Sequence, residues 1–195
     1  MKRVDVYSKD RVFDGFFKID EARLRFERYD GEMSRPVTRL VFERGDSVAA
    51  IVFNRDSGKV LLVEQFKYPT YDNGPGWLME TVAGIVEPGE SPEAALRREV
   101  LEEIGYETDR LESIATFYVS PGGTSERILL YYVEVTDAGR TGAGGGVPSE
   151  DEDIRTIELS LEELDGMVTE GRVNDAKTLV GVLWLRTKVR STSEL

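Results

Sequence analysis

Three glutamates, Glu99, Glu102 and Glu103, stand at spacings i, i+3 and i+4 within residues 84–106. On a helix this spacing puts all three carboxylates on one face, about one turn apart. Like charges stacked in that way destabilise an isolated helix, so the fold must supply a compensating charge. A hard divalent cation such as Mg²⁺ meets the need, because it takes oxygen ligands. The flanking residues set the ends of the helix. Ser91 suits the N-cap, Pro92 the first helical position, and Glu93 complements the positive end of the helix dipole. Gly105 is a stop signal, so the helix is expected over about 91–104. Leu96, Val100 and Ile104 form its core-facing stripe, opposite the glutamates.

A lone Glu-Glu pair on an amphipathic helix is ordinarily a solvated face. Here the pair sits in a longer pattern: Gly84, five residues, Glu90, seven residues, Arg98-Glu99, the apolar Val100, one residue, Glu102-Glu103, one residue, Gly105 and the bulky Tyr106. An apolar stretch, Leu78 to Val82, precedes it. The window resembles the Nudix box at every fixed position.

Composition narrows the chemistry. The chain has 195 residues, 40% hydrophobic and 32% charged, enough for one globular domain with a sizeable core and at most a small appendage. It holds no cysteine and no histidine, which removes thiolate chemistry, zinc-thiolate sites and the commonest general base. Carboxylate, lysine, tyrosine and hydroxyl chemistry around an oxygen-bound metal is what remains. A formal net charge of −12 disfavours nucleic acid and anionic membranes as partners. It also requires local cations for any anionic substrate. The first residues lack an apolar signal region, and no run approaches a membrane span, so a cytoplasmic location is the default expectation.

Along the chain, residues 1–45 alternate apolar and charged positions, with a turn at Tyr29-Asp30-Gly31-Glu32, and read as a small antiparallel sheet. Ser47–Phe53 and Lys59–Phe66 read as strands joined by a turn at 54–58, and Trp77–Ala83 as a third. Further strands are expected near 111–119, 128–135 and 154–159. Ser160 and Glu163 form a capping box for a helix over 161–170, and a last helix covers about 175–189. Strands interspersed with helices imply an α/β or α+β sandwich. The resemblance implies the Nudix-type α/β/α sandwich with a mixed sheet. Residues 1–45 are then an N-terminal β-sheet region used for dimerisation, and 46–195 the hydrolase domain.

The likeness extends past the box. Ser120-Pro121-Gly122-Gly123-Thr124-Ser125-Glu126-Arg127, Phe42-Glu43-Arg44-Gly45 and the N-terminal extension are similar to the ADP-ribose pyrophosphatase branch. Ala143-Gly144-Gly145-Gly146-Val147 and Glu150 to Ile154 are more similar to the GDP-mannose hydrolases of that branch. The resemblance implies a homodimer and metal-dependent hydrolysis of the pyrophosphate bond of a nucleoside diphosphate sugar. ADP-ribose split to AMP and ribose 5-phosphate is the first reading and GDP-mannose the alternative.

The resemblance also assigns roles. The metal, Mg²⁺ with Mn²⁺ as the alternative, falls to Glu99, Glu103 and Glu102, the carbonyl of Ala83, and Glu152. A glycine at 84 is expected to let the chain turn so that this carbonyl points inward. Arg98 orients the glutamates, Glu90 fixes the loop before the helix, and Arg97 is exposed. Glu150 takes the general-base position, with Glu126 the runner-up or a contact to the terminal ribose. The glycines before Glu150 are expected to let the acidic loop close over the substrate. Phe16 stacks on the base or is an ordinary core aromatic. Arg39 contacts phosphate or base, and Lys67 contacts phosphate where relatives carry arginine. Trp77 is assigned to packing.

Other classes fit less well. Triphosphate hydrolases of the family are typically shorter at the N-terminus, and the isopentenyl isomerase branch uses a cysteine that this chain lacks. A non-catalytic binding module of the same fold would be expected to have lost box glutamates, and all are present.

Overall fold

The computed structural model describes residues 2–193, with side chains to 188. The chain falls into two compact units, Met1–Gly45 with Tyr118–Arg127, and Asp46–Phe117 with Ile128–Leu195.

The first unit is an antiparallel sheet of β1 (Val4–Asp14), β2 (Lys18–Phe26) and β3 (Val37–Glu43), in that order. Pairing runs from Val4 opposite Phe26 to Asp14 opposite Lys18, and from Lys18 opposite Glu43 to Leu24 opposite Val37. Asp20 is buried and held by Arg11 and by Lys9 Nζ at 3.1 Å. Much of the apolar surface is not covered: Val4, Val6, Val12, Phe13 and Leu40 are all more than half exposed. Segment 118–127 belongs to this unit through β3. Phe42 N donates to Gly123 O (2.8 Å), and Ser125 N and Thr124 Oγ1 donate to Phe42 O (3.2 and 2.9 Å).

The second unit is built on a seven-stranded mixed sheet. Its strands are β4 (Asp46–Asn54), β5 (Lys59–Phe66), β6 (Trp77–Glu80), β7 (Val82–Ile85), β8 (Leu111–Tyr118), β9 (Arg127–Val135) and β10 (Arg155–Ser160). The main order is β10-β5-β4-β9-β8, with β6 paired to β5 and β7 to β4. Three helices complete it: α1 (Pro92–Ile104), α2 (Leu161–Thr169) and α3 (Ala176–Ser193). The near-continuous apolar runs of β4 and β5 are explained by burial on both faces. Val48, Ala50, Val52, Leu61 and Val63 pack with Leu96, Val100 and Ile104 of α1. Ile51, Val60 and Leu62 point the other way, to Leu164 of α2 and Val182 and Leu185 of α3. Side-chain alternation along each strand separates the two cores.

The expected strand 77–83 is two strands. The chain breaks at Thr81 and changes partner from β5 to β4. Thr81 itself holds the break: its Oγ1 donates to Ala50 O, and its N donates to Thr178 Oγ1 at 2.7 Å. Trp77 is 58% exposed and packs beside Phe66, ring centroids 5.0 Å apart. Helix α2 carries the expected capping box, with Ser160 Oγ accepting from Glu163 N and Glu163 Oε2 from Ser160 N.

Candidate active site

Helix α1 starts and stops where its end residues dictate. Ser91 Oγ accepts from Ala94 N (3.2 Å), Pro92 is the first helical residue, and Gly105 closes the helix at φ 79°, donating its N–H to Leu101 O (3.0 Å). Ala95, Leu96, Val100 and Ile104 face the sheet. Glu103 lies at the edge of that buried face and is only 2% exposed. Its Oε2 accepts from Ala83 N at 3.2 Å. Ala83 and Gly84 belong to β7, opposite Ala49 and Val48 of β4, so the sheet itself brings this main chain to the glutamates.

Gly84 does not serve the turn expected for it. It sits inside β7, and a Cβ there would fall within the Glu99 carboxylate. The position is glycine because Glu99 lies directly on the backbone.

Arg98 gathers the remaining carboxylates. Its Nε donates to Glu90 Oε1 (3.2 Å) and Nη2 to Glu90 Oε2 (3.1 Å). Nη1 donates to Glu99 Oε1 (2.7 Å) and Glu102 Oε2 (3.1 Å), and Nη2 also reaches Ile85 O (3.3 Å). Glu90 in turn accepts from Glu87 N (3.2 Å), which fixes the loop before the helix. Arg97 is exposed and donates to the Thr108 and Asp109 carbonyls.

The electrostatics are unbalanced toward negative charge. Burial pushes the Glu103 carboxyl up to about 8, and Glu99 and Glu80 add to the rise, while the Ala83 N–H and Lys67 oppose it. Burial also raises Glu99, against the pull of Arg98, with Glu102 and Glu152 adding to the rise. Among the described residues no three carboxylates close around one point, because Arg98 holds Glu99 and Glu102 while Glu103 turns to Ala83. The donor set is all oxygen, carries more negative charge than one guanidinium offsets, and lies against main chain that admits no side chain at 84. Such a set fits a hard divalent cation.

Behind Glu103 lies a network that the sequence did not disclose. Glu80, 5% exposed, ends β6 and is bonded by Lys177 Nζ of α3. Lys177 Nζ also donates to Asp175 Oδ1 (3.0 Å), and Asp175 Oδ2 accepts from Thr178 N (2.9 Å) and Thr178 Oγ1 (2.6 Å). Lys67 Nζ stands 3.4 Å from Glu80 Oε1. A Glu-Thr pair interrupting an apolar run was the one local sign of it.

The glycine stretch is anchored rather than loose. Gly145 N donates to Glu103 O (3.0 Å) and Gly146 N to Glu102 O (2.9 Å). Glu152, half-buried, folds back so that its Oε2 accepts from Val147 N (2.9 Å). Glu150 is exposed in a short 3-10 turn, Pro148–Glu150, followed by Asp151 at φ 56°. The glycines on which the expected loop closure relies are thus hydrogen-bonded to the end of α1.

A model of the NUDIX domain matches residues 43–180. The chain belongs to the Nudix family. An ADP-ribose pyrophosphatase of Escherichia coli K12 is 37% identical over 184 residues, spanning 94% of this chain and 88% of that protein. A GDP-mannose pyrophosphatase of Pectobacterium atrosepticum is 37% identical over 179 residues, 91% of each chain. The crystal structure of an ADP compounds hydrolase superposes with a TM-score of 0.74, over 99% of this chain and 97% of that one, at 16% identity, which shows the Nudix fold.

Within the first unit of this Nudix chain, Phe16 is 90% exposed, which excludes its reading as a core aromatic. Its ring meets Phe17 edge-on at 4.8 Å. Arg39 is exposed and donates to Thr38 O (3.0 Å). Glu126 is mostly buried, with Arg44 Nε 3.9 Å from its Oε2. Ser125 Oγ donates to Glu43 Oε1 (2.7 Å), so Phe42-Glu43-Arg44 and the Ser-Pro-Gly-Gly segment form one cluster.

Proposed function

We propose that this Nudix protein hydrolyses the pyrophosphate bond of a nucleoside diphosphate sugar with a divalent cation, Mg²⁺ with Mn²⁺ as the alternative, and splits ADP-ribose to AMP and ribose 5-phosphate. The observation that carries this is the under-compensated carboxylate face of a buried Glu103 and partly buried Glu99 and Glu102 against Ala83 and Gly84. Glu99 and Glu103, with Glu102, the Ala83 carbonyl and Glu152, would hold the cation. When bound, it would neutralise phosphate charge and lower the pKa of a water. Glu150 accepts the proton of the attacking water as the new O–P bond forms, and the bridging P–O bond breaks with its electron pair leaving on the departing phosphate. Lys67 and Arg39 contact phosphate oxygens, and Phe16 offers an exposed ring for the base. GDP-mannose is the second reading, favoured by the glycine run and by relatives of equal identity named for it.

A panel of ADP-ribose, GDP-mannose, UDP-glucose, NADH and nucleoside triphosphates with Mg²⁺, followed by product analysis, tests the reading. AMP and ribose 5-phosphate should form from ADP-ribose, and chelator should stop the reaction. A triphosphate as best substrate, or full turnover in chelator, would sink it.

The base assignment has its own test. Glu150→Gln should lower turnover by about 10²–10⁴-fold, the usual span for general-base removal, with metal affinity nearly unchanged. A near-normal Glu150→Gln beside an inactive Glu126→Gln moves the base to the Ser-Pro-Gly-Gly segment.

The uncovered apolar side chains of the first unit's sheet, Val4 and Val6 on one face and Phe13 and Leu40 on the other, support a homodimer built on this sheet. Sedimentation at micromolar concentration should give the dimer mass, and removing residues 1–40 should abolish it. A wild-type monomer under those conditions contradicts the assignment.

A further inference from the structure

A helix leaves its last four carbonyls without partners in the helix. In α1 two of these belong to Glu102 and Glu103, and both are met from outside the helix by Gly146 N and Gly145 N. Gly105 O, just past the helix end, accepts from both Thr141 N and Gly142 N at 3.0 Å. The segment 141–146 is thus bolted to the same turn of α1 that presents the carboxylates. Its other side faces the acidic loop. Gly145 O accepts from Ile154 N (3.2 Å), and Val147 N donates to Glu152 Oε2.

Gly146 stands between the two sides. Its φ is 84°, and a Cβ on it would lie 2.7 Å from Glu152 Cβ, 2.8 Å from Glu152 Oε2 and 3.1 Å from Ile154 Cδ1. No side chain fits there unless Glu152 moves. Glu152 is also near enough to Glu99 to add to the upward push on its pKa.

We propose that Gly146 is a positioning residue, whose missing side chain lets Glu152 fold onto a segment fixed to the Glu102 and Glu103 carbonyls, so that cation affinity depends on position 146. This rests on the assignment of Glu152 as a cation ligand. Gly146 acts only through Glu152, which separates it from a glycine needed for folding alone.

The test is calorimetric titration of Mn²⁺ into the metal-free full chain without substrate. Gly146→Ala should weaken binding about tenfold or more, and Glu152→Ala should weaken it as well. The double variant should be no weaker than Glu152→Ala alone, because residues acting as one unit are not additive. Gly146→Asn tolerates a positive φ better and keeps the bulk, so it should weaken binding as Ala does and covers the case in which Gly146→Ala fails to fold. Gly166→Ala, where a Cβ meets open space, is the control and should bind as wild type. Wild-type affinity in Gly146→Ala or Gly146→Asn overturns the inference, as does a double variant that shows both losses multiplied. Wild-type affinity in Glu152→Ala overturns the ligand assignment instead, and the inference with it. A weakened Glu152→Ala beside a normal Gly146→Ala overturns the inference alone.

Discussion

Glu103→Gln is expected to lower turnover by about 10²–10⁴-fold and, in chelator, to make the protein more stable at alkaline pH than the wild type. The first effect follows from the cation. Lewis-acid stabilisation of a phosphoryl transition state is worth several kcal/mol, and ~1.4 kcal/mol is one decade of rate. The second follows from burial. Glu103 is 2% exposed and its carboxyl is pushed up to about 8, from an ordinary 4.5. Between those two values the folded protein holds a proton that the unfolded chain has released, so wild-type stability falls as pH rises through that window. Above about 8 the loss is complete, on the order of a few kcal/mol. Glutamine does not titrate, keeps the shape, and still offers an oxygen to Ala83 N. Urea unfolding with chelator, from about pH 4 to 9, should give near-matching stabilities at the acid end and a gap in favour of the variant that widens up to about pH 8. Saturating Mg²⁺ should then stabilise the wild type by mass action and the variant far less. Parallel curves across the range would show that Glu103 is not the strained carboxylate, and turnover within tenfold of wild type would remove it from the metal site.

The parts of this site legible in the sequence are those whose physics is local. The box helix could be read because cap, stop and apolar stripe all lie within residues 91–105, and Arg98 meets Glu99 and Glu102 as the resemblance implied, and Glu90 besides. Position 84 shows the limit. Glycine suggested a turn, but the cause is the approach of Glu99 from another element, which no local pattern carries. The glycine run makes contacts that its sequence does not announce. Isolated glycines suggest freedom, yet here they permit close contact with the end of α1 and are held by it. The cluster joining Phe42 to Thr124 spans 82 positions of sequence, and the bond from Lys177 to Glu80 spans 97. Pairings at such separations are set by topology, and the apolar periodicity that reveals each strand says nothing about which polar side chains the crossings bring together.

Lys177→Met should be among the most destabilising single charge changes in the chain, at about 3–5 kcal/mol, the usual cost of leaving a buried ion without its partner. Lys177 is held between two carboxylates, with its side chain 14% exposed and that of Glu80 only 6%. Burial disfavours the charged amine, but Glu80 and Asp175 outweigh it and hold the pKa above the ordinary lysine value. Methionine has comparable length and packs where the lysine stem does, so packing loss is minor and the lost charge dominates. Glu80 would keep only Lys67, which contacts its other oxygen without a hydrogen bond. The damage should reach the site. The bend at Thr81, tied to α3 through Thr178, sets where Ala83 and Gly84 meet Glu103 and Glu99. Lys177→Met should therefore lose metal affinity along with stability. Removing both charges distinguishes this account from simple misfolding. Glu80→Gln with Lys177→Met removes the more buried of the two carboxylates and leaves Asp175 with the Thr178 N–H and hydroxyl, so it should recover part of the stability that Lys177→Met loses. A double variant no more stable than the single would mean that the packing of α3, not the ion pair, sets the cost. A single variant that loses less than about 1 kcal/mol, the range of solvated pairs, would mean that water already screens Glu80 and that the bend is held by the threonines alone.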